Sequence, residues 1–161
     1  MKVFVLAVVG VLVIVGIGYA RDTRTSNQRL MIQKYVGTYD FEALIREPRI
    51  GPEFKSLLGK DLDRFNRNLD VRGPIDYVDG RLAVSGNAQH RALEETAVLC
   101  VDSERFEVHA AVLSSGRISV YARSTLYEPL PLCIKDWISV MNTGAKGRLT
   151  KAGNVDMVKV K

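Results

Sequence analysis

The chain has 161 residues, enough for one domain with a sizeable hydrophobic core. Hydrophobic residues make up 47% and charged residues 25%, which are the proportions of an ordinary globular protein and exclude a collagen-like, fully disordered or coiled-coil chain. The formal charge is +5, but no dense basic run is interleaved with aromatic residues, so we expect no nucleic-acid partner.

The amino-terminal twenty residues have the composition of an export signal. Lys2 precedes an unbroken apolar run, and the small residues Gly18 and Ala20 are suitably placed for cleavage before Arg21. The run also approaches the roughly 17–25 residues that a membrane-spanning helix needs. The segment is therefore either a cleaved signal peptide or an uncleaved anchor, and in both cases the body of the protein leaves the cytoplasm.

Two helices are predicted after a polar spacer. Residues 38–45 form a short helix for which Thr38 is the expected N-cap and which Pro48 ends. Pro52 suits the first turn of a second, longer helix, although Gly59 interrupts it at a cost of about 1 kcal/mol. Its apolar residues recur at steps of three and four: Phe54, Leu57, Leu58, Leu62, Phe65 and Leu69. We expect this stripe to pack on a sheet.

Five strands with short turns are predicted next, which makes an antiparallel meander the economical topology. Asp79-Gly80 is a strong two-residue hairpin signal; with it at the tip, Tyr77 faces Leu82 and Ile75 faces Val84. The remaining strands fall at residues 96–101, 106–112 and 118–120.

A third helix is predicted over residues 134–141, with Trp137 on its apolar face, and residues 155–160 alternate as an edge strand could. The expected fold class is α+β, a central antiparallel sheet of about five strands flanked by helices. The predicted domain limits are residues 1–20 for the signal peptide or anchor, 21–36 for the spacer, 37–143 for the α+β domain and 144–161 for a basic carboxy-terminal tail.

The stretch of small and polar residues from Ser85 to Glu94 joins the hairpin to an apolar strand and holds His90, one of two histidines. Loops held on a rigid sheet are where binding residues concentrate. His90 is therefore a candidate to exchange hydrogen bonds with a partner; the alternative is a solvated loop histidine without a role. His109, on an alternating strand, is expected to face solvent or to pack on the sheet.

Motifs of the common enzyme classes are absent: the chain has no GxSxG, HExxH, P-loop or CxxC motif. No spacing predicts a metal site or a cofactor. A triad using Ser85, His90 and an aspartate is an alternative, because triads form in space rather than in sequence. No catalytic group has an identifiable partner, however, so we expect a non-enzyme.

Cys100 and Cys133 are the only cysteines. Outside the cytoplasm they could pair and join a central strand to the third helix. Two buried, unpaired thiols are the alternative.

The order of these elements resembles the Ivy family, the bacterial inhibitors of vertebrate (C-type) lysozyme. The resemblance runs from about Phe54 to Asn142 through Leu57-Leu58-Gly59, the segment from Asn68 to Pro74, and Val78-Asp79-Gly80-Arg81-Leu82. It implies an exported protein with a central antiparallel sheet. It also implies a loop, Cys-Lys-Pro-His-Asp-Cys in the family and closed by a disulfide, whose histidine enters the lysozyme cleft and meets the catalytic carboxylates.

The matching loop in this chain is Asn87-Ala88-Gln89-His90-Arg91-Ala92. The histidine is in place, but Asn87 and Ala92 stand where the family has its two cysteines. An unclamped loop loses more conformational entropy on binding, about 1–2 kcal/mol for each residue that becomes ordered. C-type lysozymes are strongly cationic, and the chain without residues 1–20 still carries +4. The resemblance therefore implies weak or lost activity on vertebrate lysozyme.

We expect an exported, non-catalytic protein of the bacterial periplasm that inhibits C-type lysozyme or a bacterial lytic transglycosylase. The predicted partner-binding loop consists of Asn87, Ala88, Gln89, His90 and Arg91. Because some members of the resembled family form dimers, a homodimer is a further expectation. The alternative function is a structural or adaptor protein of the cell envelope, anchored in the membrane by residues 1–20.

Overall fold

The structure, a computed structural model, describes residues 32–92, 94–143 and 151–160. The chain divides into two compact units, Met1–Lys34 and Tyr35–Lys161, and the second contains the helices and strands given below. The predicted signal peptide or anchor, most of the spacer and part of the basic tail lie outside the described residues. None of the described helices is long and apolar enough to cross a membrane.

Helices come before and after the strands, and the fold is α+β as predicted. The helices are α1 (Phe41–Leu44), α2 (Gly51–Leu58), α3 (Leu62–Arg67) and α4 (Leu132–Thr143). The strands are β1 (Val71–Arg72), β2 (Asp76–Val78), β3 (Arg81–Asn87), β4 (Thr96–Asp102), β5 (Val108–Ser114), β6 (Arg117–Ala122) and β7 (Val155–Lys159).

The sheet is larger than predicted: the described strands form one seven-stranded sheet in the order β1-β3-β4-β5-β6-β7, with β2 also paired to β3. Strands β2 to β6 form the predicted antiparallel meander. Strand β7 pairs with β6 in parallel. A parallel neighbour needs a long crossover connection, and the chain between β6 and β7 includes α4. The sheet is therefore mixed rather than wholly antiparallel.

The hairpin between β2 and β3 has the predicted turn. Asp79 and Gly80 have φ values of 48° and 74°, the left-handed conformations that a tight two-residue hairpin favours. Tyr77 lies opposite Leu82, as predicted. Ile75 does not extend the ladder to Val84: it lies before β2, and its backbone exchanges hydrogen bonds with Gly37 and Thr38, each 2.8 Å long.

The predicted long helix is interrupted at Gly59. This glycine has a φ of 50°, and a 3-10 turn over Gly59–Asp61 separates α2 from α3. A left-handed residue cannot continue an α-helix, which explains why the apolar periodicity holds across the break while the helix does not. Four residues of the stripe on α2 and α3 are still fully or nearly fully buried: Phe54, Leu57, Leu58 and Phe65.

Helix α1 is shorter than predicted and has a different cap. Asp40 is the N-cap residue, and its carboxylate accepts a 3.1 Å hydrogen bond from the Ala43 amide. The Thr38 hydroxyl instead donates to the Tyr35 carbonyl. The prediction of Thr38 as the cap was wrong because that hydroxyl satisfies a carbonyl before the helix rather than an amide within it.

The helices cover both faces of the sheet. On one face, Arg64 of α3 donates a 2.7 Å hydrogen bond to the Tyr121 hydroxyl of β6. The next strand residue towards the amino terminus, Val120, belongs to the apolar cluster that includes Ile134 and Trp137 of α4. Neighbouring strand residues point to opposite faces. Helix α3 and helix α4 therefore lie on opposite sides of the sheet.

A disulfide joins the sheet to α4. Cys100 on β4 and Cys133 in the first turn of α4 are bonded, with their Cα atoms 6.5 Å apart. Both side chains are buried in the cluster between α4 and the sheet. The bond fixes the beginning of α4 over the centre of the sheet.

Reduction of this disulfide should lower the free energy of unfolding by about 3 kcal/mol, because the crosslink restricts the unfolded chain. Urea unfolding of the wild-type chain with and without dithiothreitol measures the effect. The Cys133→Ser variant is the control and should unfold at the same urea concentration in both conditions. A wild-type midpoint that does not respond to the reductant would contradict the prediction.

Candidate functional site

The loop between β3 and β4 (residues 88–95, the β3–β4 loop) lies at the end of the sheet opposite the Asp79-Gly80 turn. Asn87 and Thr96 are the last paired residues of the two strands. Beyond them the Ala88 amide donates a 2.9 Å hydrogen bond to the Glu95 carbonyl. The sheet therefore holds the two ends of the loop together without a disulfide.

The loop is also hydrogen-bonded internally. The Arg91 amide donates to the Ala88 carbonyl at 3.1 Å, and the amides of Glu94 and Glu95 both donate to the Arg91 carbonyl at 3.0 Å. His90 has a φ of 64°, the left-handed conformation that the third residue of a type II turn requires. Histidine is among the side chains enriched in this conformation. His90 therefore stands at the corner of a defined turn.

Of the five predicted binding residues, three are exposed on the β3–β4 loop and two lie beneath it. Gln89, His90 and Arg91 are exposed. Ala88 is buried, with 8% of its surface accessible, and Asn87 is half-buried with its amide nitrogen donating to the Ala88 carbonyl at 3.0 Å. The structure thus brings three of the predicted side chains to the surface, while Asn87 and Ala88 support the loop from below.

Arg91 interacts with Glu95, a residue that is not among the predicted binding residues. Its guanidinium forms an ion pair with the Glu95 carboxylate. The spacing of four residues was the signal that could have identified this pair. The side chains are 59% and 25% exposed, and such exposed pairs contribute about 0.2–1 kcal/mol at most. The pair adds a weak restraint across the second half of the loop.

A groove of about 660 Å³ lies beside the loop, between the β1–β3 edge of the sheet and α4. We call it the α4 groove. Its apolar lining includes Val71, Val78, Trp137, Val140 and Met141, and its acidic lining residues are Asp76 and Asp136. Asn87 and Ala92, at the two sides of the β3–β4 loop, also line it. The groove and the β3–β4 loop therefore form one continuous surface.

Gly86 determines how close β1 comes to β3 at this surface. A Cβ atom at position 86 would lie 2.7 Å from the Val71 carbonyl oxygen and 2.9 Å from the Arg72 Cα. Side-chain carbons do not approach backbone atoms so closely, so only glycine allows β1 to pair here. The glycine was within the predicted functional stretch, but its contact with β1 was not visible in the sequence.

His109 is buried on β5, where it lies opposite Cys100. It is packed on the sheet, which was one of the two predicted alternatives. Its Nε2 lies 3.7 Å from the Glu107 carboxylate, and its Nδ1 has no hydrogen-bond partner. Among the residues that the structure describes, no group of three or more histidine, cysteine or acidic side chains could hold a metal ion.

Burial lowers the pKa of His109 below its ordinary value of 6.5. The carboxylates of Glu107 and Asp102 oppose this shift, and the guanidinium groups of Arg81 and Arg123 reinforce it. Desolvation penalises the charged imidazolium, and the net effect favours the neutral ring.

The His109 pKa makes the stability of the protein pH-dependent. Below about pH 6.5 the histidine of the unfolded chain binds a proton that the folded chain does not accept, so stability is lost as the pH falls. Replacement of His109 by Gln should make this decline shallower. Urea unfolding at several pH values between about 5 and 7.5 tests the expectation. Thr125→Ala, an exposed loop change that removes no titratable group, is the control and should keep the wild-type slope; equal slopes in the wild type and His109→Gln would contradict the assignment.

The family model for the inhibitor of vertebrate lysozyme (Ivy) matches residues 50–143, more than half of the 161-residue chain. The matched region includes α2 to α4, strands β1 to β6 and the β3–β4 loop. Comparisons with curated proteins and with solved structures gave no match.

Proposed function

The chain belongs to the Ivy family, the inhibitors of vertebrate lysozyme, and we propose that it inhibits lysozyme or a related peptidoglycan-cleaving enzyme by presenting the β3–β4 loop to the enzyme's cleft. The family is one of inhibitors rather than of enzymes. The observation that carries the proposal is His90, exposed at the corner of a loop whose ends are fixed by the sheet. An imidazole in that position can donate an N–H to a catalytic carboxylate.

The internal order of the loop supports its use as an inhibitory element. Four backbone hydrogen bonds restrain residues 88–95, and one of them closes the loop at its base. A restrained loop loses less conformational entropy when it enters a cleft than a free one does. These bonds compensate in part for the missing disulfide, although a hydrogen bond breaks more readily than a covalent clamp. The order of the loop backbone thus supports its use as an inhibitory element that is closed without a covalent bond.

Electrostatics favour His90 over Arg91 as the main contact. The Arg91 guanidinium is already paired with Glu95, so a catalytic carboxylate would have to compete for it. His90 is not engaged in this pair and can approach a carboxylate directly. The positive charge of the chain opposes the approach of a cationic lysozyme. We therefore expect slow association and weak inhibition of vertebrate lysozyme, and nanomolar inhibition would overturn this expectation.

Export to the periplasm is part of the proposal. The targets of a lysozyme inhibitor act on the cell wall, outside the cytoplasm, and residues 1–20 have the composition of a signal peptide or anchor. The protein would meet its target there, either as a secreted domain or held at the membrane. The expected site is the loop surface formed by Gln89, His90 and Arg91, supported from below by Asn87 and Ala88.

Replacement of His90 should weaken inhibition by about 1–3 kcal/mol if the imidazole donates to a charged carboxylate. His90→Asn is the most informative variant because it removes the imidazole, while asparagine also tolerates the left-handed backbone of the turn. The measurement is the lysis of purified wall by hen lysozyme and by a lytic transglycosylase, titrated with each protein. Thr125→Ala, an exposed loop change at the opposite end of the sheet, is the control.

An unchanged inhibition constant in His90→Asn would reject the role of His90. The absence of inhibition of both enzymes by the wild-type chain would instead favour an anchored structural or adaptor protein of the envelope.

Restoring the covalent clamp should strengthen inhibition. In the double variant Asn87→Cys with Ala92→Cys, a disulfide at the positions of the family's loop cysteines would restrict the loop before binding, and we expect roughly tenfold tighter inhibition of hen lysozyme. The same assay with and without reductant measures the gain. The single variant Ala92→Cys is the matched control. If the oxidised double variant inhibits no better than its reduced form, loop disorder does not limit affinity.

A further inference from the structure

We propose that the disulfide between Cys100 and Cys133 is an exchange site for a small, uncharged dithiol that enters the α4 groove, and that the mixed disulfide forms on Cys133. The exchange would release the start of α4 from β4. It does not depend on the inhibition proposed for the β3–β4 loop.

The two sulfurs differ in their access from outside. Cys133 lines the α4 groove and keeps 8% of its surface exposed, whereas Cys100 is fully buried on β4. Exchange begins when a thiolate reaches one sulfur of a disulfide, so access decides which sulfur is attacked. Cys133 is therefore the point of attack. A sulfur recessed in a groove admits a small thiol more readily than a thiol carried on a protein surface.

The walls of the groove suit an uncharged compound. Val71, Val78 and Val140 line the groove from β1, β2 and α4, and all three are exposed. A charged thiol would lose hydration between such side chains, whereas a short carbon chain would bury apolar surface against them. The apolar walls thus favour a neutral dithiol.

A buried ring nitrogen lies beside the sulfur that the attack releases. His109 on β5 is directly opposite Cys100, and residues so paired have Cβ atoms about 4.5–5.5 Å apart. The His109 Nε2 lies 3.7 Å from the Glu107 carboxylate, while Nδ1 has no hydrogen-bond partner in the described part of the chain. With the ring proton on Nε2, Nδ1 can accept a hydrogen bond from the Cys100 thiol. Reduction would therefore give a partner to a buried atom that otherwise has none.

The position of Cys133 favours the second half of the exchange. Cys133 lies in the first turn of α4, Leu132–Thr143, in which the amides of Ile134 and Lys135 donate to the Pro131 carbonyl. The start of a helix carries partial positive charge, which stabilises a negatively charged sulfur. Cys133 is thus a suitable leaving group when the mixed disulfide is resolved.

The exchange balances without a further reactant. One thiolate of the dithiol bonds to the Cys133 sulfur as the disulfide breaks, and the electron pair of the broken bond leaves on Cys100. The second thiolate then attacks the dithiol's own sulfur in the mixed disulfide, and the electron pair leaves on Cys133. The dithiol becomes a disulfide, and its two protons end on Cys100 and Cys133.

The attacked sulfur can be identified with a monothiol, which stops at the mixed disulfide. The purified full-length protein is incubated with 2-mercaptoethanol without denaturant, quenched in acid and analysed by peptide mass spectrometry. We expect the adduct on Cys133 at a rate that rises in proportion to the thiol concentration. An adduct on Cys100, no adduct, or a rate independent of thiol concentration, as when opening of the fold limits the reaction, would overturn the inference.

A change at the groove wall tests the route of entry. In Val140→Phe the larger ring narrows the approach to Cys133, and adduct formation should slow several-fold. Leu126→Phe is the matched control because Leu126 is exposed outside the groove, and it should react at the wild-type rate. Equal rates in the two variants would exclude the groove as the route.

The contribution of His109 is an equilibrium effect. In mixtures of reduced and oxidised dithiothreitol, His109→Leu should shift the equilibrium towards the protein disulfide by roughly threefold, since the Cys100 thiol loses its acceptor. Val140→Phe is the control because it should change the rate and leave the equilibrium at the wild-type position. An unchanged equilibrium in His109→Leu would overturn the role of His109.

The size of the dithiol is tested by comparing two probes on the wild-type protein. Reduced thioredoxin, which carries its dithiol on a protein surface, should react more slowly than dithiothreitol at equal concentration of thiolate. A faster reaction with thioredoxin would overturn the choice of a small dithiol.

Discussion

The antiparallel pairing of β3 with β4 is the interaction on which the rest of the structure depends. Seven residue pairs fix its register, from Arg81 opposite Asp102 to Asn87 opposite Thr96. A shift by one residue would turn every side chain of a strand to the other face of the sheet. The observed register places Cys100 under α4, gives β1 and β2 an edge on which to pair, and brings the ends of the β3–β4 loop together. The position of His90 is therefore a consequence of strand pairing.

The β3–β4 loop is held in a defined conformation by non-covalent contacts. Asn87 and Ala92 cannot be joined by a disulfide, but the Ala88–Glu95 backbone bond closes the base of the loop. The bonds to the Arg91 carbonyl and the Arg91–Glu95 ion pair restrain the second half of the loop. Each is weak compared with a covalent bond. The loop is thus pre-shaped and is closed by weak, non-covalent contacts.

The distribution of charge separates long-range from local effects. The net charge of +5 acts at a distance and disfavours a cationic enzyme. At contact distance the β3–β4 loop presents the exposed His90 imidazole and the Arg91 guanidinium, and the latter is already paired with the Glu95 carboxylate.

Local patterns in the sequence determined the α+β class, the antiparallel meander, the Asp79-Gly80 turn and the resemblance that centres on His90, because each depends on neighbouring residues. Only the tertiary structure decided the parallel pairing of β7, the burial of Ala88 and His109, and the α4 groove. These features depend on contacts between segments far apart in the chain: the groove joins β1 to α4, and the lowered pKa of His109 reflects packing on the sheet. A sequence pattern states which side chains are apolar or charged, whereas the three-dimensional packing decides which of them share a surface.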